Sequence, residues 1–294
     1  MAAADNLRGA GEAIGRVLGR LRSLTAHETV VGLREAFGEH NLLVEAGALA
    51  FRVLLAAIPA TLCVIGILGL FGLDSLWQDH VVPTLRQNVS HPAFRLIDQA
   101  VTYVLRKEQV FWATAGAVIA IWQLSAIVRA VANVLNRLYG VEDERPQLER
   151  FVTSLWTGAA VGLLWLGAIA AGRLLPLALG DALGDSAVSS VISTAVGLAL
   201  AATLLLVATA LMVRFGPDLK QPLRWVTFGA VLVVVGWIVG SALFAFYLTS
   251  VASYGTVFGN LATIFILLEY LFLLSVIFLL GLTFDAIAEG RAGA

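Results

Sequence analysis

Long unbroken apolar runs dominate the chain, and polar residues fall between these runs rather than alternating with apolar ones. Charge-free stretches cover residues 53–73, 109–128, 151–172, 186–213 and 225–268. A helix needs about 20 mostly apolar residues to cross the hydrocarbon of a bilayer. The last stretch is too long for one crossing. It contains SVASYGTVFGN (250–260), whose Gly, Ser and Asn read as a turn. Dividing it there predicts six spans, at about 46–73, 110–137, 151–174, 187–213, 225–249 and 260–284. Barrel strands would be about 10 residues long, with apolar and polar positions in turn. A helix also satisfies its own backbone hydrogen bonds in lipid. The expected fold is all-α, a polytopic membrane protein of six transmembrane helices.

The flanking segments have patterns of their own. Leu7, Ala10, Ile14, Val17, Leu21 and Leu24 repeat at helical spacing, with Glu12, Arg16 and Arg20 on another face. This predicts an amphipathic N-terminal helix lying on the membrane surface, its arginines near anionic lipid headgroups. The 74–109 loop is expected to be helical too. Leu96, Ala100, Tyr103 and Val104 form its apolar stripe, and Pro83 and Pro92 punctuate it. The resulting divisions are an N-terminal segment (1–44), a transmembrane domain (45–288) and a short tail (289–294).

Composition agrees with this picture: 59% of the 294 residues are hydrophobic and 13% charged, against about 25% charged in a soluble protein. Charge also orients the chain, because short cytoplasmic loops are rich in Lys and Arg. With the N-terminus inside, the inner loops carry Arg137, Arg145, Arg150, Arg214, Lys220 and Arg224, whereas the short outer loops carry Arg173. Both termini are therefore expected in the cytoplasm. The first 40 residues lack a continuous apolar core, so the first span is expected to direct insertion itself. The net charge of −1 gives no basic footprint for nucleic acid. The single cysteine, Cys63, has no intrachain partner. His80 and His91, with Asp74 and Asp79, match no zinc spacing. No cofactor and no metal are expected.

Ionisable residues inside a membrane usually face the bundle interior, and three spans carry them. In the first, Glu45, Leu49, Arg52, Ala56, Pro59, Cys63 and Gly66 share one face. Beyond Arg52 that face is small, so a neighbouring helix can approach closely. Pro59 leaves the Leu55 carbonyl without its usual donor. The second span carries Ser125, Arg129, Asn133 and Asn136 in a stripe, with Gln123 about half a turn away. The sixth holds Glu269 and, at its inner end, Asp285. At about 1.5 Å per residue, Arg52 and Arg129 lie at one level, about 10 Å from the cytoplasmic edge. Glu45 and Asp285 are expected to be their counter-charges. The predicted feature is a polar inner vestibule shared by Arg52, Arg129, Asn133 and Asn136, with Pro59 shaping its wall. Glu269 lies nearer the level of Gln123.

At LNRLYGVEDERP (135–146) the chain resembles the YihY/BrkB family of bacterial inner-membrane proteins. The match comprises Leu135, Asn136, Tyr139, Gly140, Val141, Glu142, Glu144, Arg145 and Pro146. The first span is similar to the family's pattern through Ala48, Leu49, Ala50, Phe51, Pro59 and GILGLFG (66–72). The last is similar through Tyr254, Gly255 and the stretch that follows. Where the family usually has an aromatic, Arg52 stands here, and Glu269 replaces what is often a tryptophan or aliphatic residue. The family's terminal Glu and Asn are Thr283 and Asp285 in this chain. The resemblance implies a six-helix inner-membrane protein; some members carry virulence-factor or ribonuclease BN labels. A metal-dependent nuclease needs clustered His or Asp ligands. The four histidines here, His27, His40, His80 and His91, are scattered and fall on opposite sides of the membrane. No enzymatic activity is expected. The residues point instead to a small transporter or exporter of an ion or solute. The alternative is a non-transporting envelope protein that organises or recruits partners, resting on the surface-lying N-terminal tail, the outer loop that caps the bundle and the charged VEDERPQLER loop (141–150). No motif names a protein partner or an oligomeric state.

Overall fold

Each apolar run folds as one long helix, because inside a bilayer only local hydrogen bonding leaves no backbone group unpaired. The computed structural model describes residues 26–73, 75, 77–83, 91–106, 109–183, 186–216, 228–250 and 260–288. The helices are α1 (Ala26–Glu39), α2 (Leu42–Leu70), α3 (His91–Arg106), α4 (Gln109–Leu138), α5 (Gln147–Leu183), α6 (Ala187–Phe215), α7 (Phe228–Ser250) and α8 (Asn260–Ala288). There is no strand among the described residues. Six helices, α2 and α4 to α8, are long and apolar enough to span a membrane. The amphipathic segment expected over 7–24, the tail from 289, and Tyr254 with Gly255 lie outside the described residues.

The six spans form a closed ring. Each packs on the next in the order α2, α4, α5, α6, α7, α8, and α8 returns to α2. The ring's centre is filled, not hollow. Leu42, Ala46 and Leu49 of α2, Val131, Val134 and Leu135 of α4, and Leu279, Leu282 and Ala286 of α8 belong to one buried apolar cluster. Val161, Ala208, Met212 and Val233 bring α5, α6 and α7 into it. The outward faces carry exposed apolar residues such as Ile58, Leu163, Val239 and Phe265, which suits a surface solvated by lipid.

The small face of α2 does what its composition predicts. Ala56, Pro59 and Gly66 are buried. A Cβ at Gly116 of α4 would come within 2.6 Å of the Cys63 nitrogen and 2.8 Å of the Pro59 oxygen. Only glycine permits this approach, which makes the α2–α4 seam one of the two most extensive in the bundle. Pro59 thus lies in a helix–helix contact, and α2 remains helical through it.

The long loop after α2 is helical, as expected, but its buried face differs from the predicted stripe. Phe94, Val101, Val104 and Leu105 pack with Ile65, Trp77 and Val82 over the ends of α2 and α4. Trp77 Nε1 donates to the Asp98 carboxylate at 3.3 Å. Ala100 and Tyr103 of the stripe are exposed. The face is set by the large side chains Phe94 and Leu105, which a stripe anchored on Ala100 leaves out. The side chains of Leu96, His80 and His91 lie outside the described set.

Candidate functional site: a lateral arginine groove

Arg52 of α2 and Arg129 of α4 line one groove. Its walls are Arg52, then Trp122, Ala126, Arg129, Ala130 and Asn133 of α4, then Gln147, Arg150 and Phe151 of α5, and it encloses about 670 Å³. Arg52 is ten residues from the start of α2 and Arg129 nine from the end of α4, so both lie about 14–15 Å in from the basic end of the bundle.

The groove opens sideways, not into the ring. On α4 the core-facing residues Ile127, Val131, Val134, Leu135 and Leu138 occupy the side opposite Trp122, Ala126, Arg129 and Asn133, as the 3.6-residue period requires. Asn133 is exposed, and Trp122 is 59% exposed. The expected vestibule is therefore shared by both arginines, yet it lies on the flank of α4 between α2 and α5. The α4 face that packs into the core is the continuous aliphatic one of Ile127, Val131, Val134, Leu135 and Leu138.

Arg129 is held by neutral groups. Its Nη1 donates to the hydroxyls of Ser125 and of Ser154, the latter at 2.9 Å. The Ser125 and Ser154 hydroxyls are themselves 2.9 Å apart, and Ser154 donates to the Phe151 carbonyl at 2.8 Å. The guanidinium sits over the Phe151 ring, 5.5 Å from its centroid, a cation–π contact. No hydrogen bond or ion pair from Arg52, Asn133 or Gln123 is recorded among the described residues.

The expected counter-charges are engaged elsewhere. Glu45 pairs with Arg137 at the bundle's end, both side chains partly exposed. Asp285 is buried and accepts the Gly229 backbone N–H at 2.7 Å. That N–H belongs to the first turn of α7, where the helix dipole favours a carboxylate. Thr283, beside it, donates to the Leu279 carbonyl at 2.8 Å. Glu269 is exposed and is not part of the groove lining, and Gln123 is half-buried outside it.

Asn136 leaves the vestibule for a second constellation, the turn after α4. Gly140 adopts φ +61°. Gly140 N–H bonds to the Arg137 carbonyl at 3.2 Å and Val141 N–H to that of Asn136 at 2.9 Å, the paired bonds of a glycine-terminated helix. Tyr139 is buried there. The chain then turns so that Asp143, with its side chain only 6% exposed, becomes a hub. Arg145 grips both its oxygens, Nε to Oδ1 and Nη2 to Oδ2, each at 2.9 Å. Arg150 Nε lies 3.1 Å from Oδ2, and Asn136 Nδ2 donates to it at 3.5 Å. Arg145 reaches on to the Gly216 carbonyl at 2.7 Å and the Phe215 carbonyl at 3.5 Å, so it caps the C-terminal end of α6, where the dipole favours a cation. The side-chain hydrogen bond from Arg145 holds the Asp143 carboxyl below the usual carboxylate range. Burial opposes this, and the charges of Arg145 and Arg150 add to it. Glu144 and Pro146 of the same stretch are exposed, and the Pro146 carbonyl accepts from Arg150 N–H at 3.0 Å.

Gln147, Arg150 and Phe151, which complete the groove, were not expected there. One signal was present: Arg150 puts a cation in the first turn of α5, the wrong sign for the helix dipole unless an anion is near. Asp143 supplies that anion. Gln147, Arg150 and Phe151 also share one helical face by their spacing. Among the described residues no group of three or more His, Cys, Asp or Glu side chains is placed to hold a metal ion.

Comparison with known proteins finds relatives named as membrane proteins. The family model described as "Virulence factor BrkB" matches residues 33–294. A ribonuclease-like protein of Bacillus subtilis (strain 168) is 25% identical over 265 residues, covering 88% of this chain and 95% of that protein. A UPF0761 membrane protein of Methylibium petroleiphilum is 27% identical over 269 residues, 89% of this chain and 62% of its own length. A UPF0761 membrane protein of Stenotrophomonas maltophilia (strain R551-3) is 28% identical over 259 residues, 83% of this chain and 57% of its own length. The chain thus spans nearly all of the Bacillus relative but about three-fifths of the others. No solved structure matches.

Proposed function

Because the chain belongs to the BrkB family of membrane proteins, and its ring is closed and filled by apolar side chains at the centre, we propose that it is a carrier that takes up an anionic solute through the lateral groove rather than through a pore. In this reading the membrane is the bacterial inner membrane, both termini are cytoplasmic, and the basic end of the bundle faces the cytoplasm. The observation that carries it is the pairing of Arg52 with Arg129 in one groove whose lining, among the described residues, contains no carboxylate. Charged groups inside a membrane mark substrate pathways when no partner neutralises them. The role is binding and transfer, not catalysis: guanidiniums and amides line the groove, without an imidazole or carboxylate to serve as a general base. The ribonuclease-like name belongs to the Bacillus relative.

The partner-recruiting alternative rests in part on the charge of the 141–150 loop. Much of that loop's charge is spent internally, since Asp143, Arg145 and Arg150 bind one another and the end of α6. This favours the carrier.

Flux into proteoliposomes tests the proposal. Purified protein is expected to accelerate entry of at least one anion or anionic amphiphile from a broad panel, and R52A/R129A to reduce that rate at least tenfold. Glu269→Gln, outside the groove, is expected to leave it unchanged. Absence of flux across the panel, or flux indifferent to the double variant, would overturn the carrier.

A further inference from the structure

We infer that the groove binds the phosphate headgroup of an anionic phospholipid drawn from the leaflet at the basic end of the bundle. The inference rests on reading this groove as the working site of the carrier, and it names the ligand.

Charge comes first. Of the three guanidiniums on the wall, Arg150 is matched by Asp143 at 3.1 Å. Arg129 has only hydroxyls and a phenyl ring as recorded partners. Arg52 has no recorded partner among the described residues. Two positive charges about 14–15 Å deep thus face a common space with no acid among its described lining residues; Asp143, which lines the adjoining cleft with Arg129, Asn133 and Arg150, is taken up by Arg145 and Arg150. An arginine carries five N–H donors in a planar fork that matches phosphate oxygens two at a time. Arg129 uses one nitrogen for both its hydroxyl contacts, which leaves donors for a ligand.

Shape comes second. Gln147 and Arg150 stand in the first turn of α5, at the basic end. Asn133 and Arg129 follow, with Arg52 across from them, so polar groups form a track leading inward from that end. Beyond Trp122 the same flank of α4 continues as Val118 and Ile119, both exposed and apolar. A polar pocket running into an apolar wall, open along its side, fits an amphiphile whose head lies in the groove and whose chains remain in the bilayer. A fully soluble anion would leave the Trp122–Ile119 wall unused. The volume of about 670 Å³ falls in the range of small-ligand sites, enough for a phosphodiester headgroup.

Native mass spectrometry of the full chain, released from a neutral detergent, provides the test. The probes are phosphatidylglycerol, phosphatidylcholine and, separately, soluble glycerol phosphate. Phosphatidylglycerol is expected to be retained at least tenfold more tightly than phosphatidylcholine, and that preference to vanish in R52A/R129A. R137A removes a charge at the same end but outside the groove, and is expected to keep the preference. Should the double alanine variant fail to fold, R52Q alone serves, since Arg52 holds nothing in place; it is expected to weaken the preference severalfold. Equal retention of the two lipids, or full preference in the R52 variants, would overturn the inference. Binding of glycerol phosphate as tightly as the lipid would overturn the lipid assignment in favour of a free phosphate ester. Lipid preference without flux would leave this inference standing and sink the carrier. Flux of a phosphate-free anion without lipid preference would do the reverse.

Discussion

Replacing Asp143 with alanine should unfasten the basic end of the bundle, and the structure says by how much. Asp143 is nearly fully buried and receives a bidentate grip from Arg145, a contact from Arg150 and one from Asn136. Removing one member of a buried ion pair costs about 3–5 kcal/mol, mostly because the other charge is left uncompensated. Arg145 would keep the carbonyls of Phe215 and Gly216, which places the loss near the lower figure, about 3 kcal/mol. A few degrees are lost per kcal/mol in a chain of this size, so the melting temperature should fall by roughly 6–12 °C. Intrinsic fluorescence in detergent reads this locally, because Trp156 stacks edge-on against Phe215 at the clamp, with centroids 4.6 Å apart. The effect carries a pH signature. The carboxyl titrates below its ordinary value in the folded protein, so its contribution is complete above the unfolded value of about 3.9. It is lost as pH falls through the still lower folded value. Wild type and Asp143→Ala should therefore differ fully at neutral pH and converge in strong acid. Asp143→Asn, which keeps the shape but not the charge, should fall between them. A variant that melts within a degree of wild type at neutral pH would show that the clamp does not hold α4, α5 and α6 together.

Three further outcomes follow from the packing. Gly116→Leu would drive a side chain into the backbone of Pro59 and Cys63; a cost above the usual 1–3 kcal/mol of overpacking should appear as loss of monodisperse protein in size-exclusion chromatography. Gly140→Ala forces a Cβ into the left-handed region and should cost about 1–2 kcal/mol, seen as a small drop in melting temperature without loss of yield. Asp285→Ala strands the Gly229 N–H at the start of α7 and should cost about 1–3 kcal/mol, measurable by thermal melting and by faster hydrogen exchange at Gly229 and its helical neighbours.

The spans were legible because a charge-free run has one solution in lipid. The seam between α2 and α4 was legible because Ala56, Pro59, Cys63 and Gly66 fall on one face and are all small. Equal depth, counted along two antiparallel helices, was enough to bring Arg52 and Arg129 together. Which way they point could not be read. In water the core face of a helix is apolar and the outer face polar, but in lipid both are apolar, and periodicity loses its sign. The Ser125–Arg129–Asn133–Asn136 stripe therefore looked like one inward surface. In the structure it divides: Asn136 turns to Asp143, Ser125 and Arg129 to Ser154, and Asn133 to the groove. The clamp was invisible for a different reason. Arg145 acts on Gly216, 71 positions away, and no local pattern around VEDERP distinguishes that reach from ordinary solvated charge.

Ring closure has a consequence for how the protein is made. The Leu42–Ala46–Leu49 surface of α2 belongs to the same cluster as Leu279, Leu282 and Ala286 of α8, which is synthesised after the other five spans of the ring. Until that helix enters the bilayer, the first one has an uncovered flank. Assembly is thus completed by its final step, and a ribosome stalled before α8 would leave an open crescent exposed to other membrane helices or to quality-control proteases.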